Sequence, residues 1–458
     1  MQIEILRTKI KKNMLSRKIV VIISIVYFSN TVFANPDSVT VKKETIKTGW
    51  NFGVLPAISF DTDLGFQYGG LVNAYNYGDG SRYPKYNHSL YFEISNTTKG
   101  SGINRFFYDS DKFIKKCRFS IDISYLDDQA FYFYGFNGLQ SKYNPDFLDS
   151  KMPSYKTRLF YAYKRNLMRI EPVLQGVIAG KLKWVGGLGI YNYDISSVNI
   201  NKLNKGKTGN DTLPHTDGLY EKYKSWGILN ANEQNGGWFN HAIVGIAYDT
   251  RDNEANPMHG VRDEILVGLA PSFIGNKSSS AKISIIHKQY LTIVKDKLSF
   301  CYRLMWQGNE GDMPWYAKQL MLKTYPLGAY SEGVGGGKTV RGILRYRLVG
   351  NDFAFGNFEF RYMFGHTRLM NQNFHLGLNT FYDAGLVTRF MPIDFSKISD
   401  EDKKIYFTDK KVDSFHQSIG AGLRVIMNQN FIVAFEYGHA FVKQDGNSGF
   451  YINMNYLF

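Results

Sequence analysis

Three observations predict an all-β chain, and within that class a transmembrane antiparallel β-barrel of about sixteen strands. Of the 458 residues 16% are aromatic and 44 are glycine, a Tyr/Phe/Gly-rich composition unlike that of disordered segments. Apolar and polar residues alternate with period two from residue 49 onward. Beyond residue 30 no run reaches the roughly 18 apolar residues that a helical span requires. Two cysteines, Cys117 and Cys301, are too few for a disulfide-stapled scaffold or a four-thiolate zinc site, and their segments lie too far apart in strand order to be bridged.

The chain opens with Arg7, Lys9, Lys11, Lys12, Arg17 and Lys18, then an apolar run over 19–28, then Val32-Phe33-Ala34. A basic region, a short apolar core and small residues two apart predict a secretory signal over 1–34, cleaved after Ala34. Its removal lowers the formal charge from +15 to 49 basic minus 39 acidic residues, or +10. Spread over the exported chain, that excess fits solvated loops, a polar lumen and contact with anionic lipid headgroups rather than nucleic acid. Residues 35–48 then form a short periplasmic segment ahead of a barrel over 49–458.

Strands are expected near 49–61, 64–76, 86–98, 103–112, 116–127, 164–178, 181–195, 237–251, 260–272, 280–294, 297–308, 354–366, 372–387, 413–427, 430–442 and 449–458. In 356–364, Phe358, Phe360, Tyr362 and Phe364 oppose Asn357, Glu359, Arg361 and Met363. In 430–442, Phe431, Val433, Phe435, Tyr437 and Phe441 oppose Ala434, Glu436, Gly438 and Ala440. A soluble sandwich would bury the apolar face; a membrane barrel turns it to lipid and keeps the polar face inside. Export, strand length and an aromatic last strand favour the barrel. Tight turns such as Ala179-Gly180 and Lys295-Asp296 alternate with long connections at 128–163, 196–236, 309–353 and 388–412, which fits short periplasmic turns and long extracellular loops.

The connection at 309–353 contains Gly333-Val-Gly-Gly-Gly-Lys338-Thr339. A phosphate loop needs glycine five residues before Gly337, where this chain has Glu332, so nucleotide binding is not expected. Read onward, the stretch becomes Val340-Arg341-Gly342-Ile343. Together with Tyr248-Asp249-Thr250-Arg251-Asp252, Pro257-Met-His-Gly260, Glu359, Phe381-Tyr-Asp383-Ala-Gly385, Ser418-Ile-Gly420-Ala-Gly422-Leu-Arg424 and the final Phe458, it resembles the BamA/TamA (bacterial surface antigen) outer-membrane family.

The resemblance implies a sixteen-stranded barrel in the outer membrane of a Gram-negative bacterium, without cofactor. It also implies a role in assembly, insertion or transport of proteins or lipids, and a junction of first and last strands that opens laterally. Because 35–48 holds only fourteen residues, the chain resembles a barrel-only member without POTRA domains. A separate periplasmic partner would then supply the missing function. Outer-membrane lipid and lipopolysaccharide are the expected surroundings of a monomeric barrel. Ile343 stands where the family has an aromatic.

Physical chemistry assigns the motif a job of its own. A glycine run lets the backbone fold back into a crowded lumen. Glu359 and Asp383 lie on the inward faces of their strands, so Arg341 can pair with them and pin the loop inside the barrel. At the seam, Gly53 and Pro56 weaken the first strand where it meets the last, which ends at Phe458. Neither a His-x-x-x-His spacing nor a Gly-x-Ser-x-Gly elbow occurs, so no enzyme is expected. His241 and Asp249 read as polar lumen residues. The alternative function is a gated passive pore or a structural surface barrel.

Overall fold

A computed structural model describes residues 46–458 except 63, 84, 210–211, 255, 325–332, 370–371, 428–430 and 455–456. The expected signal at 1–34, and residues 35–45 of the segment after it, lie outside the described residues.

Sixteen antiparallel strands close into one ring. They are β1, broken into Trp50–Pro56 and Ser59–Asp61; β2, Gly65–Asn76; β3, His88–Thr97; β4, Ser101–Ile114; β5, Cys117–Tyr132; β6, Ala162–Ala179; β7, Leu182–Ser196; and β8, Gly236–Asp249. The second half comprises β9, Gly260–Ala270; β10, Ser280–Val294; β11, Leu298–Gly311; β12, Asp352–Leu369; β13, Gln372–Arg389; β14, His416–Met427; β15, Phe431–Ala440; and β16, Ser448–Met454. Each strand pairs with its sequence neighbours, and β16 returns to the second part of β1. Closure leaves few unpaired backbone groups for lipid to face.

The faces are inverted relative to a water-soluble protein. Large apolar side chains stand exposed on the outer wall, among them Phe92, Ile94, Ile283, Ile285, Phe360, Tyr362, Phe364 and Tyr437. Charged side chains fill the interior: Arg165, Arg169, Arg341, Arg347 and Arg424 are among the largest fully buried side chains. Inside, they meet carboxylates. Arg169 lies 2.8 Å from Asp122, and Arg165 lies 2.8 Å from Asp128.

The four long connections, 133–161, 197–235, 312–351 and 390–415, all emerge at one end of the barrel. They pack there around a shared aromatic core that includes Phe133, Phe160, Tyr223, Trp226, Trp315, Tyr346 and Phe407. Phe131 and Tyr346 stack at 4.4 Å, and Phe133 meets Tyr223 edge-on at 5.0 Å. Rings of this size bury on the order of 150–250 Å² each, so the loops form a packed dome rather than loose tethers.

Three strands differ most from expectation. β5 continues to Tyr132, because Phe131 and Tyr132 resume pairing with Tyr163 and Ala162 beyond a bulge and carry their rings into the dome. β1 is interrupted after Pro56, which fits a residue that donates no ladder hydrogen bond. The last strand is described as far as Met454; residues 455–456 of the expected strand lie outside the described residues, and Leu457 and Phe458 are not in the ladder.

Candidate functional site

Loop 312–351 turns back from the outer rim into the bore. Short local bonds hold its inner hairpin: the Gly336 amide donates to Ile343 O at 2.9 Å, and the Gly335 amide donates to Thr339 Oγ1 at 2.8 Å. The segment then reaches the inner faces of β12 to β16, where Val340, Arg341 and Ile343 are buried. Gly342 takes φ +86°, and a Cβ there would come within 2.6 Å of the Gly438 backbone on β15. Two glycines facing each other therefore set how deeply the loop seats. The Gly342 amide donates to the Tyr451 hydroxyl of β16 at 3.0 Å.

This seating delivers the Arg341 guanidinium into three carboxylates. Nε and Nη2 donate to the two oxygens of Asp383 at 2.8 and 2.9 Å, and the Arg341 backbone amide adds a third bond to Asp383 at 3.0 Å. Nη1 donates to Glu436 at 2.7 Å and forms an ion pair with Glu359 at 2.6 Å. The guanidinium also lies 3.5 Å from the centre of the Phe381 ring. Burial alone would disfavour the charge, but Asp383, Glu436 and Glu359 hold Arg341 protonated well above its ordinary range.

Two further arginines complete the cluster. Arg361 Nε donates to Glu359 at 2.8 Å, and Arg424 Nη2 lies 3.3 Å from Glu359 and 3.0 Å from Glu436. Three guanidinium groups thus face three carboxylates, all buried. Sequence reasoning named Arg341, Glu359 and Asp383 as partners but did not give Glu436, Arg361 or Arg424 a role. The available signal was their position on the inward faces of their strands. What was missing was the stagger between strands, which decides which inward residues share a level of the barrel.

At the seam, Gly53 and Pro56 pair with Asn73 and Gly70 of β2, and among the described residues neither pairs with the last strand, whose residues 455–456 lie outside the described residues. The junction with β16 is carried by the second part of β1, through Asp61 with Tyr451 and Phe60 with Ile452. The Thr62 amide adds a bond to Phe450 O at 3.1 Å. Phe458 is not on the lipid face: it is buried in the lumen, its ring 6.2 Å from that of Tyr290 and under the guanidinium groups of Arg361 and Arg303 at 4.8 and 5.2 Å. Two inward arginines offer an aromatic ring more there than the end of a ladder does.

His241 and Asp249 do not meet. His241 is buried against Tyr191 and Phe239, while Asp249 pairs with Arg251 and Arg262. Among the described residues no group of three His, Cys, Asp or Glu side chains is placed to hold a metal ion. Both cysteines are free thiols.

A closed sixteen-stranded ring, apolar outside and charged within, with one outer loop folded into its bore, defines an outer-membrane β-barrel. The chain belongs to the Omp85 superfamily, whose domain matches residues 85–458. Its fold is similar to that of BamA from Haemophilus ducreyi lacking POTRA domains 1–3, at 14% identity and a TM-score of 0.50, over 90% of this chain and 71% of that one. It is also similar to CdiB from Escherichia coli, at 11% identity and a TM-score of 0.50, over 89% of this chain and 63% of that one. No curated protein sequence matches the chain.

Proposed function

We propose that this barrel inserts or passes protein or lipid cargo at the outer membrane, with loop 312–351 closing the bore and the β1–β16 junction serving as the exit. One observation carries the reading: a loop pinned by a triply paired arginine lies beside a junction that, among the described residues, is held by two ladder pairs and the bonds between Thr62 and Phe450. Neighbouring strands elsewhere share long registers, such as the eleven pairs between β9 and β10. The junction is therefore the cheapest place to part the wall, and a plugged bore leaves cargo a lateral route rather than an axial one. A separate periplasmic protein that hands over cargo fits the same reading, and the barrel works as a monomer surrounded by outer-membrane lipid and lipopolysaccharide.

The test is a lock. Phe60→Cys and Ile452→Cys, in a Cys117→Ser/Cys301→Ser background, place two thiols on directly paired positions. In a deletion strain, oxidised protein is expected to fail to restore the outer-membrane protein and lipid composition, and reduced protein to restore it. Full restoration by the oxidised protein would remove the lateral route. It would leave the second reading, a gated passive pore, which the charged interior favours and which needs no parting of strands.

A further inference from the structure

Loop 312–351 has a foot as well as a latch. Its first arm leaves the dome at Trp315 and follows the inner faces of β11, β10 and β9. Lys282 Nζ of β10 donates to the carbonyls of Ala317 and Leu320 at 2.7 and 2.6 Å, and Gln307 of β11 accepts the Leu322 amide at 2.9 Å. Farther along the arm Thr324 meets β9. Its amide donates to Glu264 at 2.8 Å, and its hydroxyl accepts from Arg262 Nη2 at 2.6 Å.

Arg262 faces the other way as well. Its Nε pairs with Glu264 at 2.6 Å, and its Nη1 with Asp249, the last residue of β8, at 2.5 Å. Asp249 in turn accepts Nε and Nη2 of Arg251 at 2.9 Å each. Arg251 belongs to the 250–259 turn, at the end of the barrel opposite the long loops. Its Nη1 donates to the Glu254 carbonyl at 3.1 Å, and Arg118 of β5 holds the Glu254 side chain at 2.8 Å. A continuous run of charged contacts therefore joins this turn to the foot of the loop. We propose that the run is an autoinhibitory tie: turn 250–259 keeps the foot of loop 312–351 seated, and displacing the turn from the periplasmic side frees the first arm.

The two ends of the run differ in access. Arg262, Glu264 and Thr324 are buried, whereas the Glu254 side chain is 42% exposed. Between them stands one planar guanidinium whose donors are fixed relative to one another. Nη1 cannot follow a moving Asp249 without turning Nη2 away from the Thr324 hydroxyl. Nor can Arg262 simply let go, because a buried charge deprived of its partner is costly. The tie rests on the reading of this loop as the closure of the bore, and it names how that closure is regulated.

The test is hydrogen exchange on the full chain in detergent, without cargo. Glu254→Gln removes the charge that Arg118 and Arg251 hold at the exposed turn. It is expected to quicken exchange at 315–324 about threefold, in addition to its effect at the turn itself. Thr324→Val leaves Arg262 with both carboxylates but without its bond to the loop, and exchange at 315–324 should rise about tenfold. Coupling is reciprocal, so exchange at 250–254 should rise in this variant too. In the Thr324→Val background, Glu254→Gln should add nothing further to exchange of the loop. If Thr324→Val does not fold, Asp249→Asn, which removes the charge between Arg251 and Arg262, takes its place in the cycle. Faster exchange at the turn alone in Glu254→Gln, or additive effects in the pair, overturns the tie. With cargo absent, that outcome is separate from a failure of the thiol lock, which bears on the lateral exit.

Discussion

Arg341 is fully buried and makes charged contacts to three carboxylates from three different strands. Replacing it with alanine leaves Asp383, Glu359 and Glu436 facing one another with Arg361 and Arg424 as the remaining counter-charges. Breaking a buried pair in this way costs about 3–5 kcal/mol. The expected outcome is a fall in the temperature at which the folded barrel loses its fast gel mobility, with faster hydrogen exchange confined to 333–350. Arg341→Lys should recover only part of the loss, because an ammonium cannot make the planar two-point contact with Asp383 while also meeting Glu436. The glycine after it makes a different prediction. Gly342→Ala puts a methyl group within 2.6 Å of the Gly438 backbone at a positive φ, so the loop should unseat although all six charges remain. If Gly342→Ala leaves loop exchange unchanged, depth of seating is not set by that contact. Much of this site was legible, because period-two patterning fixes which side chains point inward. Glu436 escaped because its partner lies 95 residues away, in a loop whose path no local pattern specifies.

At the scale of elements, the dome is tied by a few polar contacts between loops. Arg347 of loop 312–351 donates to the carbonyls of Gly138 and Ser141 at 2.9 and 2.8 Å, and to that of Gln444 at 2.9 Å. His416 lies between Asp445 at 2.6 Å and Asp413 at 3.0 Å, and Asp413 also accepts the amides of Leu139 and Val387. Burial by itself would push Asp413 up, but the hydrogen bond and charge of His416, with those two amides, hold it below its ordinary value. A carboxylate with a lowered folded pKa contributes stability above its unfolded value, near 3.9, and loses it as pH falls through the folded one. Exchange at 137–140 and 387–391 should therefore stay slow at neutral pH and quicken below about pH 4. Asp413→Asn should raise exchange there at pH 7 and flatten this acid response; an unchanged profile would show that other groups carry the tie. The weak first strand was visible in Gly53 and Pro56, but the two-part strand and the inward turn of Phe458 were not. Both depend on what the opposite wall presents.

On the scale of the whole molecule, the proposed closure of the bore has two layers. The pinned hairpin sits in the lumen beside β12 to β16, and the aromatic dome at the outer end draws residues from all four long loops. The hairpin packs through Val340 and Ile343 into one buried cluster, while Trp315 and Tyr346 of the same loop belong to the dome. One loop thus takes part in two seals that rest on different physics, charge pairing inside and apolar packing outside. Seals in series pass ions only when both are open, and the tighter one sets the current. Wild-type protein in planar bilayers should accordingly show low conductance. Arg341→Ala alone should raise it only modestly, because the dome still covers the mouth. Trp315→Ala with Phe133→Ala should do little alone as well, because the hairpin still fills the bore. Combined, the three substitutions should raise conductance by far more than the sum of the separate effects, the non-additivity expected of elements that act as a unit. A large current from Arg341→Ala alone would mean that the dome is leaky and that the inner pairing is the sole barrier.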